Sequence, residues 1–133
     1  MKIHAIRIEP GEDLRFMLQR YVCVHQLPSA WIMTGMGSLS ILSIRYAGQD
    51  EVVKLKQKWE ICSLAGTLSK TGVHVHIVAS DETGHCVGGH LGVGSIVRTT
   101  AEIVLGSSSD IVFQRVIDDR TGYPELTIQQ NVE

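Results

Sequence analysis

The stretch Val73-His74-Val75-His76-Ile77-Val78-Ala79-Ser80-Asp81-Glu82-Thr83-Gly84-His85-Cys86-Val87-Gly88-Gly89-His90-Leu91 decides how this chain is read. Val73 to Ser80 and His85 to Leu91 read as two strands, and Asp81-Glu82-Thr83-Gly84 as the turn between them. A type I turn followed by a left-handed glycine closes a hairpin of this kind. Such a loop pairs Asp81 with His85. Counting back along both strands then sets Ser80 opposite Cys86 and His76 opposite His90. Residues i and i+2 of a strand share a face, and so do cross-strand partners. His74, His76 and His90 therefore converge on one surface. A bulge at Gly88-Gly89 would move this register by one residue.

Three neutral imidazoles at one point are a ligand set for Zn²⁺, or for Fe, Ni or Cu. A fourth coordination position would stay open, as in catalytic sites. His85 falls on the same face under this pairing, but at the end of the hairpin. Cys86 reads as a packing residue. His4 and His25 read as structural or solvated.

Outward from the hairpin, the chain is strand-rich. Lys2 to Glu9 reads as a strand stopped by Pro10-Gly11. Glu12 and Asp13 open one helix, whose apolar residues Leu14, Met17, Leu18, Tyr21 and Val22 follow helical spacing, with His25 behind them and Pro28 at its end. Ala30 to Thr34 reads as a short strand, Gly35-Met36-Gly37-Ser38 as a turn, and Leu39 to Tyr46 as the next strand. Glu51 to Lys58 and Trp59 to Leu68 read as two further strands, with a bulge expected at Gly66. Ser95 to Leu105, Ile111 to Val116 and Glu125 to Ile128 complete the set. One helix and about eight strands in hairpin order give an α+β fold, a mostly antiparallel sheet of short strands with the helix packed on one face.

The 133 residues fit one domain, 1–133. Lys plus Arg is 12 and Asp plus Glu is 14, so the formal charge of -2 argues against bulk neutralisation of phosphates. No apolar run approaches the roughly 20 residues of a membrane span, and the first residues carry no signal-peptide pattern. The expected setting is cytoplasmic, without a membrane partner. Cys23, Cys62 and Cys86 form no CxxC pair and read as reduced, mostly buried thiols. The run Gly88 to Gly94 lacks the GxxxxGK[ST] pattern of a phosphate loop.

The motif His74-x-His76 followed by Asp81, Gly84 and Gly88-Gly89-His90-Leu91 resembles the plants and prokaryotes conserved (PCC, or PPC) domain, in its stand-alone prokaryotic type. Trp59-Glu60-Ile61-Cys62-Ser63-Leu64-Ala65-Gly66 is similar to that family's signature strand. Thr100 to Val104 and Arg120 to Leu126 extend the likeness over essentially the whole chain. The resemblance implies an α+β fold assembled as a homotrimer, and a DNA-associated or regulatory role. It also implies a fold similar to that of α-acetolactate decarboxylase, which carries a three-His zinc site. The sequence contains no AT-hook, which speaks against direct minor-groove binding.

Three functions are weighed on these residues. The first is a metal-binding, trimeric scaffolding or regulatory domain, with zinc as the expected metal. The second is a zinc-dependent enzyme acting on a small carbonyl or carboxylate ligand. It has Glu60 as the candidate general acid or base, with Glu102 behind it, and Arg98 as the carboxylate anchor. The third is DNA binding through Lys54, Lys56 and Lys58, with Arg45 near them. The simpler reading of those lysines is a solvated or aggregation-resistant edge.

Overall fold

The computed structural model describes residues 1–130. Its elements are β1 (Lys2–Ile8), α1 (Leu14–Val24), β2 (Ser29–Arg45), β3 (Val53–Ser69), β4 (Gly72–Ser80), β5 (Cys86–Leu91), β6 (Ile96–Ser108), β7 (Ile111–Ile117) and β8 (Pro124–Gln130). Six strands form one antiparallel sheet in the order β1-β6-β2-β3-β4-β5, and β7 with β8 form a separate two-stranded sheet. The end of β2 also pairs with β5, through Ile44↔Leu91 and Arg45↔His90. Strands β2 to β5 thus close on themselves at one end, which covers the edge of β5 at His90 and Leu91.

Two expected breaks are absent. Gly35 to Ser38 is no turn: β2 runs unbroken from Ser29 to Arg45. It shifts register against β6 around Gly37 and again near Ile41. Gly37 adopts φ +145, a conformation open to glycine, and a Cβ there would collide with the Thr100 carbonyl oxygen. The glycines read as a turn are where this long strand bends between two neighbours. Likewise the lysine segment and the Trp59 segment are one strand, β3. Gly66 pairs in register with Val75, and the β3 irregularity falls between Ile61 and Ser63 instead. A Cβ on Gly66 would lie 2.5 Å from the His74 carbonyl oxygen, so close backbone approach is what requires glycine there.

The helix is shorter than its apolar pattern allows. Asp13 is its N-cap, accepting from the Phe16 amide, and His25 caps its C-terminus before Pro28 is reached. The second carboxylate oxygen of Asp13 accepts from the Gly94 amide at 2.6 Å, which ties the helix start to the chain entering β6. Leu14, Leu18 and Val22 are buried, and Met17 and Tyr21 pack beside them. They share one core with the inward residues of the sheet, among them Leu39, Leu42, Leu68, Val75, Ile77 and Leu105. On β4 the alternation is strict: Val73, Val75, Ile77 and Ala79 point to the core, leaving His74, His76, Val78 and Ser80 on the outer face.

The cysteines depart from expectation. Cys62 and Cys86 are exposed and Cys23 is half-buried, all as free thiols. Both exposed cysteines flank Ser80: Cys86 is its cross-strand partner, and the Cys62 thiol lies 3.4 Å from its hydroxyl. Strand parity turns Cys86 to the outer face beside Ser80, and Cys62 is the extra residue at the β3 irregularity between Ile61 and Ser63.

His4 is structural. Its imidazole is buried and lies 2.9 Å from the Ser107 hydroxyl and 3.1 Å from the Tyr21 hydroxyl. His25 is exposed and stacks on the Tyr21 ring. Burial, then the charges of Lys2 and His25, push the pKa of His4 below its ordinary 6.5. As the pH falls through 6.5, the unfolded chain accepts this proton before the folded one does. His4 therefore weakens the fold progressively on acidification. Unfolding midpoints measured between pH 7.5 and pH 5 should fall less steeply in His4→Gln than in the parent. Parallel curves would remove His4 from this role.

Candidate metal centre

The hairpin register is the one the sequence arithmetic requires. His76 pairs with His90 and Ser80 with Cys86, and Gly88 and Gly89 pair without a bulge. The loop closes through the Asp81 amide donating to His85 O, while the Asp81 carboxylate accepts from the amides of Thr83 and His85. The Thr83 hydroxyl also donates to this carboxylate at 2.8 Å, and that bond first, then the amide bonds, holds the carboxyl below its usual range. Gly84 supplies the left-handed residue at φ +84. Gly89 has a different task. A Cβ there would lie 2.6 Å from the Arg45 carbonyl oxygen, so glycine permits the β2–β5 closure.

His74, His76 and His90 come together. One ligand nitrogen from each lies within 4.8 Å of the others. The Nε2 atoms of His74 and His76 face each other at 3.1 Å. Ring centroids are 4.8 Å apart for that pair and 5.0 Å apart for His74 and His90. Two nitrogens on a tetrahedral zinc, with bonds near 2.0–2.1 Å, sit about 3.3 Å apart. The His74–His76 pair is close to that spacing at 3.1 Å, and the His90 ligand nitrogen lies within 4.8 Å of both. Across β3 the partners are small: Ala65 opposite His76 and Thr67 opposite His74. They leave the imidazoles room on the face.

Electrostatics keep two of the three in the ligand form. Burial, followed by the charges of His74 and Arg45, lowers the His90 pKa to about 4. Burial, Arg115 and His76 lower that of His74. Neutral imidazoles have the free lone pair that a metal requires. The three residues fit a transition metal, and the donor set is nitrogen alone.

Beside His74 and His90 opens a cavity of about 500 Å³. Its wall includes Arg15, Arg45, Arg115, Asp50 and Glu125, from well-separated parts of the chain. Arg45 is cross-strand from His90, so the row His76–His90–Arg45 crosses three strands on one face. Arg115 arrives from β7, whose backbone is held by Arg115 N donating to the Thr71 hydroxyl and Phe113 N donating to Pro28 O. Of these five cavity residues the sequence reading singles out only Arg45 for function, and it groups that residue with the lysines.

Other expected site residues lie elsewhere. Glu60 is on the strand next to β4, as anticipated, but it pairs with Ser80, four residues along from His76. It lines a different pocket, with Lys58, Asp81 and Arg98. Glu102 is exposed at the β1–β6 ladder opposite Arg7. His85 is not part of the cluster; its Nδ1 lies 3.4 Å from the Thr83 hydroxyl. The five-residue step from His85 to His90 is odd, which separates their faces on a pleated strand. Lys54, Lys56 and Lys58 are exposed beyond the end of β4, and Lys58 pairs with Glu82 at 3.4 Å. Among the described residues no helix is long and apolar enough to cross a membrane.

Comparison with known proteins places these features. The profile of the Plants and Prokaryotes Conserved (PCC) domain matches residues 1–109. A bifunctional protein GlmU of Synechococcus sp. (strain JA-3-3Ab) is 38% identical over 133 residues, all of this chain and 21% of that protein. The chain thus spans about a fifth of the length of that curated relative. A solved structure of a protein from Salmonella enterica is 39% identical, with TM-score 0.94, covering 98% of this chain and 95% of that one. A metal-containing protein from Archaeoglobus fulgidus is 26% identical, with TM-score 0.79, covering 96% of this chain and 94% of that one.

Proposed function

The chain belongs to the Plants and Prokaryotes Conserved domain family, and on that premise we propose that it is a metal-binding, homotrimeric domain holding zinc on His74, His76 and His90. The observation that carries the reading is the convergence of three imidazole nitrogens within 4.8 Å on the outer face of a hairpin. The metal-containing relative from Archaeoglobus fulgidus supports it. Self-association is supported by large apolar side chains left on the surface, including Met33, Met36, Val116, Ile117 and Ile128. Elemental analysis of purified, untagged protein should give about one zinc per chain, and light scattering after size exclusion a trimer. Absence of metal after reconstitution would defeat the site, and a monomer the assembly.

A second reading is favoured by the cavity: an enzyme acting on a small carbonyl or carboxylate compound. Bound zinc would polarise a carbonyl or lower the pKa of its water. The protein's own residues would orient the ligand and move protons. A proton carrier must come within hydrogen-bond reach of the reacting group. Glu125 shares the cavity with His74 and His90, whereas Glu60 does not, so the acid–base role passes to Glu125 in this reading.

A DNA-associated role, which the family resemblance also implies, would fall in this chain on Lys54, Lys56 and Lys58. Reversing all three charges should weaken DNA retention at low salt if that stripe binds phosphates. Unchanged retention would leave the lysines as an exposed edge.

A further inference from the structure

Three guanidinium groups meet at the cavity beside the histidines, and they come from three elements: Arg15 from α1, Arg45 from β2 and Arg115 from β7. The ion pairs formed among the described residues involve other cations, Arg7, Lys58 and Arg120. Arg15, Arg45 and Arg115 instead donate to neutral oxygens. Arg15 Nη2 donates to Val73 O, Arg45 Nη1 to Gln49 O, and Arg115 Nη2 to the Thr67 hydroxyl. A guanidinium carries five N–H donors in a planar fork, so most donors of all three remain available. The Nε of Arg115 is buried and has no hydrogen-bond partner.

Such a grouping is costly in an empty protein, because like charges repel and a buried donor goes unpaired. The carboxylates of Asp50 and Glu125 share the wall, and three guanidiniums against two carboxylates leave one positive charge in excess. A divalent ion on the histidines would add to it. Arg45 stands cross-strand from His90, so a ligand held by the arginines reaches the cluster directly.

We propose that this cavity binds a small metabolite through an oxyanion, a carboxylate or a phosphate, gripped by Arg15, Arg45 and Arg115, with its remainder directed at His74 and His90. The inference deepens the metal-site reading and rests on it only for the ligand's orientation, since the arginines carry their charge with or without a metal. Planar, bidentate pairing makes Arg the side chain suited to both oxyanions. The carboxylate anchor expected at Arg98 thus moves to this cavity.

Calorimetric titration of the full chain tests it, at fixed ionic strength, with malonate, inorganic phosphate and uncharged malonamide, on metal-free and zinc-loaded protein. Malonate or phosphate should bind saturably at one per chain, and malonamide should not. The stronger of the two anions identifies the source. Arg115 also ties β7 to β3, so the decisive variants are Arg15→Gln and Arg45→Gln, each expected to weaken binding about tenfold or more. Arg120→Gln, outside the cavity lining and paired with Asp118, should bind as the parent does. Absence of saturable anion binding in both metal states overturns the proposal. So does equal binding of malonamide, or binding that survives both decisive substitutions. Zinc bound stoichiometrically while neither anion binds would defeat this inference and spare the metal site. Anion binding by protein that takes up no zinc would do the reverse.

Discussion

His76→Ala should abolish stoichiometric metal binding. His76 is central to the cluster: its Nε2 faces that of His74, and its backbone pairs with that of His90. Its removal leaves two imidazoles, too few for a closed or an open three-nitrogen site. Loss of a mere supporting group around a metal costs 10–100-fold, so loss of a ligand should cost at least about 100-fold in affinity. The side chain is exposed on the sheet's outer face, so the metal-free variant should melt with the parent. Metal per chain after dialysis against a weak chelator is the measurement. Glu60→Gln is the matching control and should retain the metal, because Glu60 lies at the far end of the β3–β4 ladder. Retention of one metal per chain by His76→Ala would sink the three-His site.

The largest expected stability effect is at Gly37. Gly37→Ala must place a Cβ against the Thr100 carbonyl and 2.7 Å from the Ala101 Cα, both backbone atoms of β6. Backbone cannot swing aside as a flexible side chain can. The residue also holds φ +145, where an L side chain is strained. Strain and overpacking together should destabilise the protein by about 3 kcal/mol or more. A denaturant midpoint lowered by that free energy divided by the slope, with the slope unchanged, is the expected result. The comparison is Gly84→Ala, also at positive φ but with open space around its Cβ, which should cost less. Equal small effects at both sites would show that β2 can move away from β6.

The two predictions mark different depths of legibility. The histidine cluster was legible because every step to it is local. Parity along β4 places His74 with His76, a tight turn sets the pairing, and His90 follows by counting. The same local logic places Cys86 opposite Ser80. It misleads where parity is miscounted, as at His85, and where apolar residues are assumed to be buried, as at Cys62 and Cys86. Gly35 and Gly37 misled for another reason. Glycine marks a turn or a bent strand equally well, and the choice depends on whether strands lie on both sides. Here β3 and β6 both do.

From sequence alone came the one-helix, strand-rich architecture, the family resemblance and the three imidazoles. These follow from periodicity and from contacts close along the chain, where geometry leaves few options. Tertiary structure alone decided the closure of β2 onto β5, the removal of Glu60 from the histidines and the meeting of Arg15, Arg45 and Arg115. Those positions are tens of residues apart, and no local pattern carries their register. They are brought together by which apolar faces bury against one another, a property of the whole packed chain rather than of any segment.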